Sequence, residues 1–147
     1  MFIVQKNTKI ETRPALSMAF DEQALKIIHG RNFAFIATAN PDGSPQVTPV
    51  WIDEEDGYLL VNTVVGRVKE RNTKRDPRVA LAIPDRLNFY RYLYIKGRVV
   101  DWITGDKAEE HIDKLAVKYT GEKFKWRKPG DRRVILKIQP LEVKLSG

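Results

Sequence analysis

The chain contains no cysteine, which excludes disulfides, thiolate metal sites and cysteine nucleophiles together. Histidine is nearly as scarce: His29 and His111 are the only two in 147 residues. Neither stands in an HExxH-type spacing, so a metal centre would need carboxylates to complete it, and no metal-ligating set is predicted. No apolar run approaches the roughly 18 residues of a membrane-crossing helix, and the polar N-terminus lacks the apolar centre of a signal peptide. A cytoplasmic protein with no membrane partner is the expectation. The sequence also offers no nucleophile–base pair and no paired catalytic carboxylates, so no catalytic side chain is predicted.

What the chain has in excess is positive charge, 26 Lys and Arg against 19 Asp and Glu, for a formal net charge of +7. Such a surface attracts an anion: nucleic acid, an acidic membrane or a highly charged cofactor. The 42% hydrophobic fraction is enough for a real core. We expect one domain over residues 1–147, with 1–16 as an arm or edge strand.

Along the chain, Ser17 to His29 places Phe20, Ala24, Ile27 and Ile28 at helical spacing, with Ser17 able to cap the helix, Gly30 ending it and His29 suited to its C-terminal dipole. Phe33–Thr38 reads as a buried strand. The turn Asn40-Pro41-Asp42-Gly43 leads to a second strand, Gln46–Ile52, where Pro49 marks an edge or bulge against which a flat ligand can lie. Asp53–Gly57 reads as a turn into the strand Tyr58–Asn62. Arg78–Ile83, Tyr94–Trp102 (with Gly97 a bulge site) and Val134–Ile138 supply three more strands, the last disturbed by Pro140. A helix opens at Thr104 and closes at Thr120-Gly121. On it His111 has no partner nearby in sequence and reads as a surface or boundary residue. The sum is an α+β, mainly β chain of about six antiparallel strands with three helices.

The stretch Val61–Asn72 carries the chemistry. An apolar strand runs through Asn62 and Thr63 to Gly66, whose backbone freedom permits a sharp bend, and Arg67 and Lys69 follow at the start of a short basic helix. Unpaired N–H groups, a helix dipole and two cations converge there, and phosphate is the guest that suits them. A second dense stretch, Asp85–Tyr92, reads as a loop with Arg86, Phe89, Tyr90, Arg91 and Tyr92. It could stack bases or form a dimer seam around a ring ligand.

In order, FAFIATANPDGSPQVTPVW, VNTVVGRVKERNTKRDPRVAL, NFYRYLYIKGRVV and HIDKLAVKYTG…RVILKIQPLEV resemble the split-barrel flavin and deazaflavin family related to pyridoxamine 5'-phosphate oxidase. The likeness is nearest to the branch using the deazaflavin F420, which shares a GRxKxRN element, an NPYRYLEVRG-like segment and a HIDxLAxxYTG helix. The resemblance implies a six-stranded antiparallel split β-barrel with flanking helices, and a homodimer with the cofactor in the groove between subunits. It implies that Gln46, Val47, Thr48, Pro49, Val50 and Trp51 line the cofactor and that Asn62, Thr63, Gly66, Arg67, Lys69 and Asn72 hold its phosphate. The partner's contribution would come from around Asn88, Tyr90, Arg91 and Tyr92.

Phe89 stands where the related segment has proline, and Tyr94 where it has glutamate, so the substrate face is expected to differ. The Arg-Leu-x-Pro segment of the pyridoxamine phosphate oxidases has no matching arginine in Ile138-Gln139-Pro140-Leu141, which disfavours vitamin B6 oxidation. The implied activity is hydride transfer from F420 to a small organic acceptor. FMN is the alternative cofactor, and Lys123, Lys125, Arg127 and Lys128 tilt the choice to F420 because they suit its oligoglutamate tail. A non-catalytic cofactor carrier and a single-stranded nucleic-acid binder are the rival readings. The latter lacks any RNP, KH or cold-shock signature.

Overall fold

The structure, a computed structural model, describes residues 8–9 and 19–147. Its order is β1 (Thr8–Lys9), α1 (Glu22–His29), β2 (Ala34–Ala39), β3 (Pro45–Val50), β4 (Asp53–Glu55), β5 (Tyr58–Val64), α2 (Val68–Arg75), β6 (Arg78–Asp85), β7 (Asn88–Ile103), α3 (Asp106–Thr120) and β8 (Arg133–Ser146). All pairings are antiparallel, and seven strands run in the order β3-β2-β6-β7-β8-β5-β4, with β1 added against β8.

The two ends of that order, β3 and β4, are consecutive in the chain and joined by Trp51 and Ile52 alone. Two residues span only about 7 Å, so the sheet must curl until its edges meet, yet β3 and β4 do not pair. An open, split barrel is the result, and its slit falls at the β3–β4 joint. One core fills the inside, with Ile36, Leu59, Val61, Leu81, Ile95, Leu136 and Ile138 among its members. Leu60 and Ile135 point the other way, onto Ala108 of α3. Hence β5 and the start of β8 are apolar on both faces, whereas β7 alternates buried Leu93, Ile95, Gly97 and Val99 with more exposed neighbours.

The structure corrects several expectations. Where six strands are predicted the continuous path has seven, because Asp53–Glu55 is a strand (β4) paired with β5 and only Asp56-Gly57 turns the chain. Both turn residues have positive φ, 53° and 85°, the primed geometry that matches strand twist. Acidic side chains hid this strand, although an edge tolerates them. The aromatic stretch is no loop either: β6 reaches Asp85, β7 begins at Asn88, and Pro84 faces Tyr92. Finally, β8 passes through Pro140, which sits opposite Gly97 where the register shifts, so the missing N–H interrupts no regular ladder.

α1 starts later than the periodicity suggests. Asp21 caps it, accepting the Ala24 N–H at 2.9 Å; Ser17 lies outside the described residues.

Candidate functional site

A cleft of about 200 Å³ opens at the slit, lined by Phe33, Pro49, Val50, Trp51, Asn62, Thr63, Arg67, Lys69, Ile112, Leu115 and Arg133. Its three cations come from the start of α2 and the head of β8. β5 ends at Val64, and Gly66 at φ +96° turns the chain into α2. The Glu70 carboxylate pins that turn by accepting the Gly66 N–H at 2.9 Å. Arg67 is the N-cap and offers no side-chain cap, so the first-turn N–H groups keep their hydrogen-bonding capacity near Arg67 and Lys69. The third cation, Arg133, comes from β8, whose register places it opposite Val64.

Among the described residues no carboxylate lines this cleft. Burial lowers the Lys69 pKa from its usual value, and the neighbouring Arg67 and Arg133 charges lower it further. Burial likewise acts against the charge on Arg133, which is 6% exposed, with Arg67 adding to the effect. Cations crowded until their own charges are disfavoured form a site that an anion relieves. Arg133 is aimed by two contacts: its Nε donates to Asn62 Oδ1 at 2.8 Å, and its guanidinium lies 5.1 Å from the Phe124 ring centre.

The apolar wall is equally fixed. Trp51 stacks on Tyr119 at 5.4 Å and meets the edge of Phe124 at 6.3 Å, and Phe33 packs edge-on against Tyr119 at 5.7 Å. Tyr119 Oη donates to Asn32 O at 2.7 Å and accepts the Ile52 N–H at 3.2 Å, which ties α3 to the joint between β3 and β4. Burial first among the causes pushes the Tyr119 hydroxyl up to about 12, so it stays neutral.

Of the residues singled out from the sequence, Pro49, Val50, Trp51, Asn62, Thr63, Arg67 and Lys69 come together here. Thr48 lies on the same side of β3 as Val50, and its buried Oγ1 has no hydrogen-bond partner among the described residues. Gln46 bonds Thr38, and Val47 faces outward. Gly66 shapes the turn without lining the cleft. Asn72 is buried and donates to Thr38 Oγ1 and Asn40 Oδ1, both at 3.0 Å, so it ties α2 to β2 and the following turn. Tyr90 is 87% exposed and Arg91 bonds Gln23, both outside the cleft.

Sequence reasoning missed Arg133, although the pair Arg132-Arg133 at the head of an apolar strand was a usable signal. It also misplaced His111, which is buried and bonded to Asp53 and Asn62. Of the four basic groups matched to an acidic tail, Arg127 is held by Asp113 and Glu109 and Lys125 by Glu122. Lys123 and Lys128 have no ion-pair partner among the described residues.

A larger concavity of about 670 Å³ is lined by Arg31, Phe35, Pro84, Arg86, Phe89 and Tyr92 and shares Phe33 with the cationic cleft. Leu87 and Tyr90, the chain neighbours of Arg86 and Phe89, are exposed.

The family model described as "Pyridoxamine 5'-phosphate oxidase" matches residues 20–147. Among solved structures, one titled "F420 Reductase" is 31% identical, with a TM-score of 0.71 over 80% of this chain and 93% of that one. A conserved hypothetical protein from Mycobacterium tuberculosis is 20% identical at a TM-score of 0.69, covering 98% of this chain and 89% of its own. The General Stress Protein 26 of Bacillus anthracis is 20% identical at 0.67, covering 90% and 95%. These last two share the fold.

Proposed function

Because the chain belongs to the pyridoxamine 5'-phosphate oxidase family, we propose that it is an F420-dependent oxidoreductase, a homodimer that reduces a small organic acceptor. One observation carries this reading: Arg67, Lys69 and Arg133 converge at the barrel's slit with no carboxylate among the lining residues. The 31% identity to an F420 reductase supports the choice of deazaflavin.

The donor set fits a phosphorylated cofactor. Arg67 offers a planar fork and Lys69 a point charge to the phosphate, while Thr63 and Asn62 add hydrogen-bonding side chains. The orphaned Thr48 hydroxyl is a further polar group beside this wall. A volume of about 200 Å³ suits an anionic group but is below the roughly 300 Å³ at which pockets begin to enclose whole ligands. The ring system would therefore extend out of the cleft along β3, where Pro49 presents no N–H. When bound, F420 supplies the hydride. The protein's part is to hold the phosphate, to present an aromatic and proline wall, and to exclude water on that side with Phe33 and Trp51.

The exposed Phe33, Phe35 and Phe89 gathered in the larger concavity support the dimer, since exposed apolar side chains collected in one place mark an interface. Titration with F420 and separately with FMN, at low and high salt, tests the assignment. Tight, salt-sensitive F420 binding with weak FMN binding is expected. The reverse preference would make this an FMN protein. Failure to oxidise the bound reduced cofactor with any of a quinone, an enone or a tetrapyrrole would leave a carrier.

A further inference from the structure

Behind the cationic cleft lies a buried chain of hydrogen bonds that reaches it through Asn62. The orientation of the Asn62 amide follows from its neighbours. Ala108 O, 3.0 Å from Asn62 Nδ2, can only accept, and Arg133 Nε, 2.8 Å from Asn62 Oδ1, can only donate. The amide nitrogen therefore faces α3, and its second hydrogen points at His111 Nδ1, 3.1 Å away. That nitrogen must be an unprotonated acceptor. The imidazole hydrogen is then on Nε2, which lies 3.0 Å from Asp53 Oδ2. Asp53 is fixed in turn by the Glu54 N–H at 2.9 Å and by Lys114 at 3.3 Å.

We propose that His111 is a positioning residue for the anion cleft, which through its tautomer locks the Asn62 amide and so aims Arg133, making anion affinity depend on the protonation of His111. The proposal rests on the cationic cleft being an anion site. A second proton on His111 would go to Nδ1 and set a donor against the Asn62 Nδ2 donor. The imidazole at 7% exposure has little room to turn aside. The amide has to rotate instead, which removes the Oδ1 acceptor from Arg133 Nε and loosens its aim. Acid therefore weakens anion binding, even though it adds positive charge nearby.

The charged groups around this chain do not reproduce that sign. From β4, Asp53 is ionised throughout, its carboxyl held at about 2: burial raises it, but the His111 hydrogen bond, the Glu54 N–H and Lys114 outweigh that. From α3, Lys114 faces Asp53, and Glu109 accepts the Arg133 backbone N–H at 2.9 Å. Lys118 is brought down to about 8 by burial, and its protonation on acidification would favour an anion. The Lys107–Glu55 pair is more than half exposed at each side chain, so solvent screens it.

The test uses sulfate, whose charge is constant across neutral pH, titrated calorimetrically into the full chain from about pH 7.5 to about pH 5.5, the range in which histidine changes charge. Wild-type affinity is expected to fall on acidification across this range, by no more than about tenfold per pH unit, the limit for one linked proton. His111→Gln, which keeps an acceptor for Asn62 but cannot titrate, should lose the fall on acidification. In parallel, histidine ¹⁵N resonances should show Nδ1 unprotonated and Nε2 protonated near pH 7.5, a readout that needs no variant. A flat wild-type profile, an unchanged slope in His111→Gln, or a proton on Nδ1 overturns the proposal. If sulfate binds, and Lys69→Ala abolishes it, while pH has no effect, the relay alone falls. If no sulfate binds at any pH, the cleft reading falls and the relay with it.

Discussion

Lys69 and Arg133 carry most of the electrostatic argument because both are pressed out of water with no carboxylate among the described residues that line the cleft. Charge-assisted hydrogen bonds contribute about 1.5–3 kcal/mol each, so Lys69→Ala should weaken F420 binding roughly ten- to a hundredfold in a fluorescence titration. Unchanged affinity would remove the grip from the account. Arg133→Met should cost a similar factor and also reduce the salt dependence. Asp53 makes a separate prediction about acid stability. Its pKa in the fold, about 2, lies below the ordinary 3.8, so its contribution is complete above about pH 5 and is lost as pH falls towards 2. With allowance for partial screening, Asp53→Asn should lose about 1–2 kcal/mol at neutral pH by urea denaturation, with the gap to wild type closing near pH 2. A constant gap across that range would show that the effect is packing alone.

At the level of elements, the site depends on two long strands keeping their register. β7 and β8 pair from Tyr92↔Ser146 to Ile103↔Ile135, with shifts at Lys96/Gly97 and Val99/Asp101. The first shift lets Gly97 lie against β8: a Cβ there would meet Gln139 O at 2.6 Å and Ile138 Cγ2 at 2.9 Å. Backbone cannot yield as a flexible side chain can, so Gly97→Ala should cost about 1–3 kcal/mol, measured as a lowered midpoint in thermal denaturation. Because Arg133 sits at the head of the same β8, a register slip would carry it away from Val64. F420 affinity should therefore fall with stability in that variant. Wild-type affinity in a destabilised Gly97→Ala protein would separate the strand ladder from the site.

At the scale of the molecule, the cleft is too small for a whole tricyclic cofactor, and beside it lies a broad aromatic concavity sharing Phe33. A second subunit laid over the Phe35, Leu87 and Phe89 surface would cover both deficits at once. Phe89 is 72% exposed and Leu87 80% exposed, so Leu87→Glu combined with Phe89→Glu should leave the fold intact and shift the mass towards monomer in light scattering. Cofactor affinity should drop with it, since one wall of the groove would be gone. A monodisperse dimer that survives both charges would place the interface elsewhere.

The sequence determined the strand and helix inventory wherever periodicity was clean, and it determined the β5–α2 turn that carries Arg67 and Lys69 into one cleft, because Gly66, Arg67 and Lys69 fall in one short stretch and local chemistry is readable there. It concealed β4, whose acidic residues look like a turn until β5 pairs with them, and it concealed the strand character of Asn88–Tyr92, where aromatic density suggested an exposed loop. Tertiary structure alone decided the rest of the cleft. Arg133 stands 66 positions beyond Arg67 in the chain and reaches it through the β5–β8 register. His111 found Asp53 and Asn62 only when α3 packed over the barrel. The physical reason is the same in each case: a partner supplied by a distant strand or helix leaves no mark on local spacing.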